Sequence, residues 1–182
     1  MSASAALTQP VGFKEAADNT DAIRASDVFV VNAPVAAVLH ALEHAETYRY
    51  MFPRVLNARE IGRTKRGERL VELEQGTPLF RARYTVRVRR EGDTLVYLWL
   101  DPDFDHDIRN AQGLFLLEPV GPAKTKLTLH VLVDLGPEPW KAFFRARVQE
   151  AFQATPRLMA RYLETPPAAA LSPAPAEPTP VR

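Results

Sequence analysis

Two histidines and a glutamate form the most recognisable catalytic pattern in this chain. His40, Glu43 and His44 have the spacing H-x-x-E-H, which places both histidines on one helix face, where they could bind zinc. No long downstream helix offers an acidic third ligand on its buried face, and the helix itself packs by a stripe of valine and leucine. The pattern therefore favours a solvated helix face, and we expect neither a metal nor another cofactor.

A run of alternating aspartates, residues 101–107, imitates the start of a calcium-binding loop. The pattern then fails, because His106 stands where the turn glycine is needed and Gln112 where the bidentate glutamate belongs. An acidic loop between two strands is the favoured interpretation. Such a loop could still cap the mouth of a cavity, and Asp107 could pair with Arg109.

Arginines form a third group with possible chemistry. They alternate with apolar residues over residues 80–90, and further basic residues lie between Arg63 and Arg69, so that together they could bind phosphate. No aromatic side chains share their face, however, and Glu72 and Glu74 can neutralise them across a hairpin. A solvated outer sheet is favoured over nucleic acid, and transient contact with a membrane surface stays open.

The segment from Trp140 to Leu163 is predicted to be a long helix with a broad apolar face. Arg147 and Thr155 interrupt that face, and a buried guanidinium needs a partner. Arg147 could anchor the carboxylate, phosphate or carbonyl of an otherwise apolar ligand. Alternatively, it could pair with Asp134 or extend its charged end into water. Pro156 predicts a kink in the helix.

These candidate residues are positioned by one strand, two short helices, six further strands and the long helix. The predicted strands are residues 26–31, 55–62, 69–75, 80–90, 94–100, 113–119 and 126–135, and the short helices are residues 34–45 and 47–52. Short connections between successive strands imply an antiparallel meander. The alternation gives the sheet an apolar inner face and a wet outer face, so the long helix is expected on the inner side.

Length and composition limit the function classes. The chain has 182 residues, with 23 basic and 22 acidic residues and no cysteine, which excludes disulfides and thiolate catalysis and gives no global basic excess for nucleic acid. We expect residues 1–24 to be poorly ordered, residues 25–164 to form one domain, and residues 165–182 to be a disordered tail rich in proline and alanine. With no recognisable signal peptide and no transmembrane segment, the expected location is the cytoplasm.

The order of these elements resembles the helix-grip fold of the START-like, or SRPBCC, superfamily, which includes polyketide cyclase and coenzyme-Q-binding branches. Three stretches are locally similar to that superfamily: Tyr48–Pro53, Asp107–Pro119 and Lys126–Pro137. The resemblance covers about residues 27–164. It implies an α+β fold in which a curved seven-stranded antiparallel sheet wraps around a long C-terminal helix, with two short helices between strands 1 and 2.

The resemblance also implies a cavity between the sheet and the long helix that holds an apolar small molecule, such as a lipid, an isoprenoid quinone or a polyketide. We therefore predict a ligand-binding or carrier protein without catalytic residues. The predicted ligand-binding residues are Phe29, Tyr48, Met51, Phe52, Leu73, Tyr84, Phe115, Leu117, Leu129, Val131, Phe144, Arg147, Val148, Phe152 and Met159.

Two other functions stay open at this point. A polyketide cyclase or aromatase would need an acid or base inside the cavity, whereas the inward strand positions are nearly all apolar. A protein-interaction module would need the arginine-rich sheet face to remain unpaired and to form one continuous patch.

Overall fold

The strands predicted from apolar alternation form one antiparallel sheet. The computed structural model describes residues 22–77, 81–136 and 140–165, and in the last range it describes side chains from residue 146 onward. The elements in chain order are β1 (Ile23–Val31), α1 (Val35–Glu43), α2 (Tyr48–Met51), β2 (Val55–Arg63), β3 (Arg69–Gly76), β4 (Arg81–Glu91), β5 (Leu95–Leu100), β6 (Asn110–Gly121), β7 (Lys124–Asp134) and α3 (Trp140–Glu164). The predicted α+β helix-grip architecture is therefore confirmed.

The first and last strands of the sheet are neighbours. The strand order is β1-β7-β6-β5-β4-β3-β2, and all pairs are antiparallel. Ile23 lies opposite Val133, so β1 begins before residue 25, at which the sequence placed the start of the domain. Of the ends predicted to be poorly ordered, residues 1–24 and 165–182, all but residues 22–24 and 165 lie outside the described residues. Register irregularities in β2 and β6 bend the sheet, because an inserted residue increases local twist.

One end of the concave face is filled by a packed core, which we call the packed end. It lies where β1 ends and β7 begins, and α1 contributes Val38, Leu39 and Leu42 to it. Leu117 of β6 and Leu127 of β7 are fully buried there. Large branched side chains on the inner face therefore leave no space at this end of the sheet.

The last turns of α3 are fastened to the packed end. Met159 is fully buried, and the ring of Tyr162 stacks on that of Tyr50 with 5.8 Å between centroids. Glu164 Oε1 accepts hydrogen bonds from the backbone nitrogen of Asn32 (2.8 Å) and from its Nδ2 (2.9 Å). None of the helices in the described ranges combines the length and apolar character that crossing a bilayer requires.

The convex face is polar over β2, β3 and β4, as predicted. Glu72 accepts hydrogen bonds from Arg59 Nε at 2.8 Å and from Arg83 Nε at 2.9 Å, and these bonds lower the pKa of its carboxyl. Arg81 Nη1 lies 2.7 Å from Glu74 Oε1. Arg81 and Arg83 of β4 are thus neutralised by the glutamates of β3, as the alternation of the two strands indicated.

Over β5 and β6 the convex face is apolar, and the expectation of a wet outer face is wrong there. Tyr97 and Trp99 project outward between the inward residues of β5, and Leu114 does so on β6. The guanidinium of Arg89 lies 5.7 Å from the centroid of Tyr97, and burial raises the pKa of that tyrosine to about 12. Within the described residues, Tyr97 Oη, Arg89 Nε and Gln112 Oε1 are buried without a hydrogen-bond partner.

Candidate functional site

A cavity of about 700 Å³ lies between α3 and the end of the concave face opposite the packed end. The sheet is hollow here because its inner positions carry small residues: Ala25 on β1, Ala82 on β4, and Ala111 and Gly113 on β6. The middle of α3, from Arg147 to Thr155, covers this hollow end. The volume falls in the range of small-molecule sites, about 300–1,000 Å³.

Most of the predicted ligand-binding residues line this cavity. They are Tyr48, Phe52, Leu73, Tyr84, Phe115, Leu129, Val131, Arg147, Val148 and Phe152. Phe29, Met51, Leu117 and Met159 do not line it, because they pack into or against the core. The side chain of Phe144 lies outside the described residues. That the lining residues bind a ligand stays a prediction.

The predicted set of ligand-binding residues left out the small residues of the lining, most of its polar residues and several branched apolar ones. The further lining residues are Ile23, Ala25, Pro53, Arg54, Val55, Gln75, Gly76, Thr77, Arg81, Ala82, Val86, Leu98, Asp107, Ile108, Ala111, Gln112, Gly113, Val133, Leu135, Gln149, Ala151 and Thr155. Alternation alone could have identified Ala82, Ala111 and Gly113 as inward-facing. The predicted ligand-binding residues are mostly large and apolar, whereas a cavity forms where such side chains are missing.

Two buried tyrosines contribute hydroxyls that already donate to the protein. Tyr48 Oη donates to the backbone oxygen of Leu42 at 2.7 Å. Tyr84 Oη donates to Gln75 Oε1 at 2.6 Å, and Gln75 Nε2 in turn donates to the backbone oxygen of Pro53 at 3.0 Å. Burial raises the pKa of both tyrosines, so both hydroxyls are neutral at physiological pH. Each oxygen can still accept a hydrogen bond from a ligand.

Thr155 and Asp107 are the next polar lining groups, and both are engaged locally. Thr155 Oγ1 donates to a backbone carbonyl one turn earlier at 3.2 Å. Asp107 Oδ2 accepts from the backbone nitrogen of Arg83 at 2.7 Å, which holds the acidic loop over the end of the cavity. The expected pairing of Asp107 with Arg109 is not formed, because Arg109 Nη1 instead lies 3.8 Å from Asp134 Oδ2.

Arg147 lines the cavity and its side chain is exposed, which agrees with the alternative in which its charged end extends into water. Asp134, its predicted partner, is buried beside Arg109 and accepts from the backbone nitrogen of Gly136 at 2.9 Å. Arg147 forms no ion pair within the described residues. The side chain of Arg147 is exposed because the hollow end of the sheet offers α3 no surface to pack against at this position.

The two metal-like patterns are engaged in local contacts. His44 Nδ1 lies 2.6 Å from the backbone oxygen of His40, and the two rings are 4.0 Å apart. Asp101 accepts from Arg87 Nε at 2.8 Å, and this bond lowers the pKa of the aspartate. In the part of the chain that the structure describes, no three histidine, aspartate or glutamate residues are grouped so as to hold a metal ion.

Known structures share this architecture although the sequences have diverged. No protein-family model and no curated protein matches the sequence. A START superfamily protein from Mycobacterium smegmatis is 14% identical with a TM-score of 0.65, over 78% of this chain and 97% of that one. The Zhui aromatase/cyclase from Streptomyces sp. R1128 is 13% identical with a TM-score of 0.65, over 79% of this chain and 94% of that one.

A third similar structure is a STAR-related lipid transfer protein from Xanthomonas axonopodis, in a fragment of residues 25–204. It is 18% identical with a TM-score of 0.61, over 78% of this chain and 85% of that one. Identities this low establish the fold and leave the activity to be argued from the cavity. With its curved seven-stranded sheet, its two short helices and its long C-terminal helix, the protein has the START-like helix-grip fold.

Proposed function

We propose that this protein binds a hydrophobic small molecule in the cavity between the sheet and α3, and acts as a binding or carrier protein. The observation that carries the proposal is the hollow end of the sheet, about 700 Å³ in volume and lined mainly by apolar side chains. A lipid, an isoprenoid quinone or a polyketide-like molecule would suit such a cavity. Binding would be driven by burial of apolar surface, at about 25 cal/mol per Å².

The state of the polar lining groups supports a binding role. Tyr48, Tyr84 and Thr155 all donate their hydroxyl hydrogens to protein acceptors, so an apolar ligand would leave no buried donor unpaired. One of the similar structures, the STAR-related lipid transfer protein, also fits this role.

A cyclase or aromatase is the enzymatic alternative, and the lining gives it less support. Such a reaction needs an acid or base within reach of the substrate, with a pKa near the working pH. Burial instead raises the pKa of Tyr48 and Tyr84, and Asp107 already accepts a backbone hydrogen bond from Arg83. None of these three lining groups is both free and suitably ionised.

A protein-interaction module is the other alternative, and it required unpaired arginines on the outer sheet face. Arg59 and Arg83 both contact Glu72, and Arg81 contacts Glu74. The resulting surface has alternating charge, which gives no continuous basic patch to an acidic partner. The cavity is therefore the better-supported site.

Native mass spectrometry of the purified protein, followed by solvent extraction, tests the proposal directly. We expect a co-purifying apolar molecule, or a rise in melting temperature with members of a panel of apolar ligands. Val131→Trp should abolish either effect, because Val131 lines the cavity and tryptophan would fill part of it. His130→Trp is the matched control, since it adds the same side chain to the other face of β7.

The variants must be folded for this comparison, which circular dichroism would establish. If Val131→Trp fails to fold, Ala82→Leu offers a smaller obstruction on the inner face of β4. An empty wild-type protein with no thermal shift across the panel would contradict the proposal. Equal binding by the wild type and by a folded cavity-filled variant would contradict the location of the binding site in this cavity.

A further inference from the structure

Three arginines line the same end of the cavity. Arg54 precedes β2, and its backbone oxygen accepts from the nitrogen of Gly76 at 2.8 Å. Gly76 lies opposite Arg81 in the pairing of β3 with β4, which places Arg54 and Arg81 on neighbouring strand ends. Arg147 belongs to α3, one turn before Glu150, and Glu150 Oε2 lies 3.6 Å from Arg54 Nη2. Arg54 and Arg147 therefore lie at one mouth of the cavity, on its two walls, whereas the side chain of Arg81 turns to Glu74 on the outer face of the sheet.

Among the described residues one acidic side chain lines the cavity, that of Asp107, and it already accepts from the backbone nitrogen of Arg83. Arg81 is neutralised by Glu74 at 2.7 Å. In the described part of the chain, the ion-pair partner of Arg54 is Glu150, whose side chain is 68% exposed and too distant for a hydrogen bond. Arg147 has no ion pair within the described residues. At least one guanidinium at the mouth thus has donors available for a ligand, and a second has a partner that is easily replaced.

The rest of the lining, away from the arginines, is mainly apolar. Away from the mouth, the walls are formed by Leu98, Phe115, Leu129 and Val131 from the inner face of the sheet and by Phe152 from α3. These side chains can hold an apolar body but offer nothing to a charge. A molecule that matches both regions has an apolar body and one anionic end.

We infer that the cavity takes an amphiphile that ends in a carboxylate or a phosphate, with the anionic group held by Arg147 and Arg54 at the mouth. This inference rests on the proposed function and adds the chemical class of the ligand. A guanidinium suits this task because its fixed fork of donors matches the geometry of both anions. The position at the mouth also lets the anion keep part of its hydration while the apolar body is buried.

A pair of probes that differ only in charge tests the inference. Cis-parinaric acid fluoresces when it is buried, and its methyl ester has the same apolar body without the anion. We expect the wild-type protein to bind the acid about 10-fold more tightly than the ester, which corresponds to one charge-assisted hydrogen bond of about 1.4 kcal/mol. Arg147→Gln should reduce this preference to less than about 3-fold, and Arg54→Gln with Arg147→Gln should remove it.

Arg157→Gln is the matched control, because Arg157 is an exposed arginine of the same helix that does not line the cavity. It should leave the preference unchanged. The preference of the wild type should also fall with added salt, since the mouth is open to solvent. Displacement of the bound acid by palmitate or by hexadecyl phosphate distinguishes the carboxylate from the phosphate.

The outcomes separate this inference from the proposed function. Equal binding of acid and ester by the wild type would refute recognition of an anionic group, while the proposal of an apolar binding site would stand. Failure of both probes, and of the neutral probe 1-aminoanthracene, would overturn the site itself. Inorganic phosphate has no apolar body, so its displacement of the acid would show that the arginines bind anions independently of the cavity. That result would refute the inference that the ligand is an amphiphile.

Discussion

Arg87 should be the side chain that holds the loop from β5 to β6 over the hollow end of the sheet. Its Nε and Nη2 donate to the two carboxylate oxygens of Asp101 at 2.8 and 3.0 Å, and Nη2 also donates to Asp103 at 2.9 Å. Nη1 lies 3.9 Å from the buried Glu68. The same loop continues to Asp107, which lines the cavity. We predict that Arg87→Met will destabilise the protein in a strongly pH-dependent way.

The magnitude follows from the exposure of the partners. The side chain of Asp101 is only 1% exposed, so the two hydrogen bonds to it account for most of the contribution of Arg87 to the free energy of unfolding. The side chain of Asp103 is 76% exposed, and its bond contributes at most about 1 kcal/mol. Leaving a buried charge without its partner costs about 3–5 kcal/mol. Arg87 is itself 25% exposed, and water can partly replace it. We therefore expect a loss of about 2–3 kcal/mol in the free energy of unfolding at pH 7.

The sign of the pH dependence comes from Asp101. In the wild type, Arg87 lowers the pKa of Asp101, so its contribution to stability is present above the unfolded value of about 3.9 and is lost as the pH falls further. In Arg87→Met the lowering effect of Arg87 is lost, and burial, which raises the pKa of Asp101, is opposed only by the smaller effect of the hydrogen bond from the backbone nitrogen of Asp103. Protonation of Asp101 then relieves the variant of a buried unpaired charge. The difference in unfolding free energy between the two proteins should shrink from pH 7 to about pH 3.5.

Urea unfolding followed by circular dichroism at both pH values measures this difference. Asp101→Asn, made in both backgrounds, gives the coupling between the two residues. Arg59→Met is the control, because Arg59 is a 61% exposed partner of Glu72 and its loss should cost less than about 1 kcal/mol. A penalty for Arg87→Met that does not change with pH, or one no larger than that of the control, would refute the reasoning.

Three further substitutions test other contacts, each by urea unfolding without added ligand. Tyr84→Phe should destabilise by about 1 kcal/mol, because it leaves the part-buried Gln75 Oε1 without its donor. An unchanged midpoint would show that this bond contributes nothing. Gly113→Ala should stabilise the protein by about 0.5–1 kcal/mol, because alanine reduces the conformational freedom of the unfolded chain. The new Cβ would lie 3.7 Å from Leu98 Cβ, at ordinary contact distance. A loss of stability would mean that β6 cannot accept a side chain there. Pro156→Ala should stabilise by about 1–3 kcal/mol by restoring a backbone donor inside α3, unless the curve of the sheet requires the proline, in which case stability falls.

The sequence predicted the fold because each strand carries its own alternation. In β4, Tyr84, Val86 and Val88 are all buried, and the intervening Arg83 contacts Glu72 of β3, as the two patterns together required. Such a pattern depends only on neighbouring strands, so it is readable from local sequence. The short turns predicted the meander from β2 to β7, whereas the pairing of β1 with β7 joins distant parts of the chain and cannot be read from local sequence.

The site was less predictable, because it depends on what is missing. The hollow end arises from Ala82, Ala111 and Gly113, which come from different strands and meet only after the sheet has formed. The helical periodicity placed Arg147 on the apolar face, but it could not show that this face meets a cavity there. Likewise, the outward position of Trp99 follows alternation, while its apolar surroundings depend on the neighbouring strand.

The pairing of β1 with β7 has a consequence for how the chain folds. Val31 lies opposite Thr125, so β1 can complete these hydrogen bonds only after the chain has been synthesised as far as β7. Until then β1 lacks this partner, and in the finished sheet it is still an edge strand with Val28 and Val30 exposed. Closure of such a long loop is slow compared with formation of the local hairpins. Aggregation during biosynthesis should therefore begin at β1, and a chaperone that shields this strand would raise the folding yield.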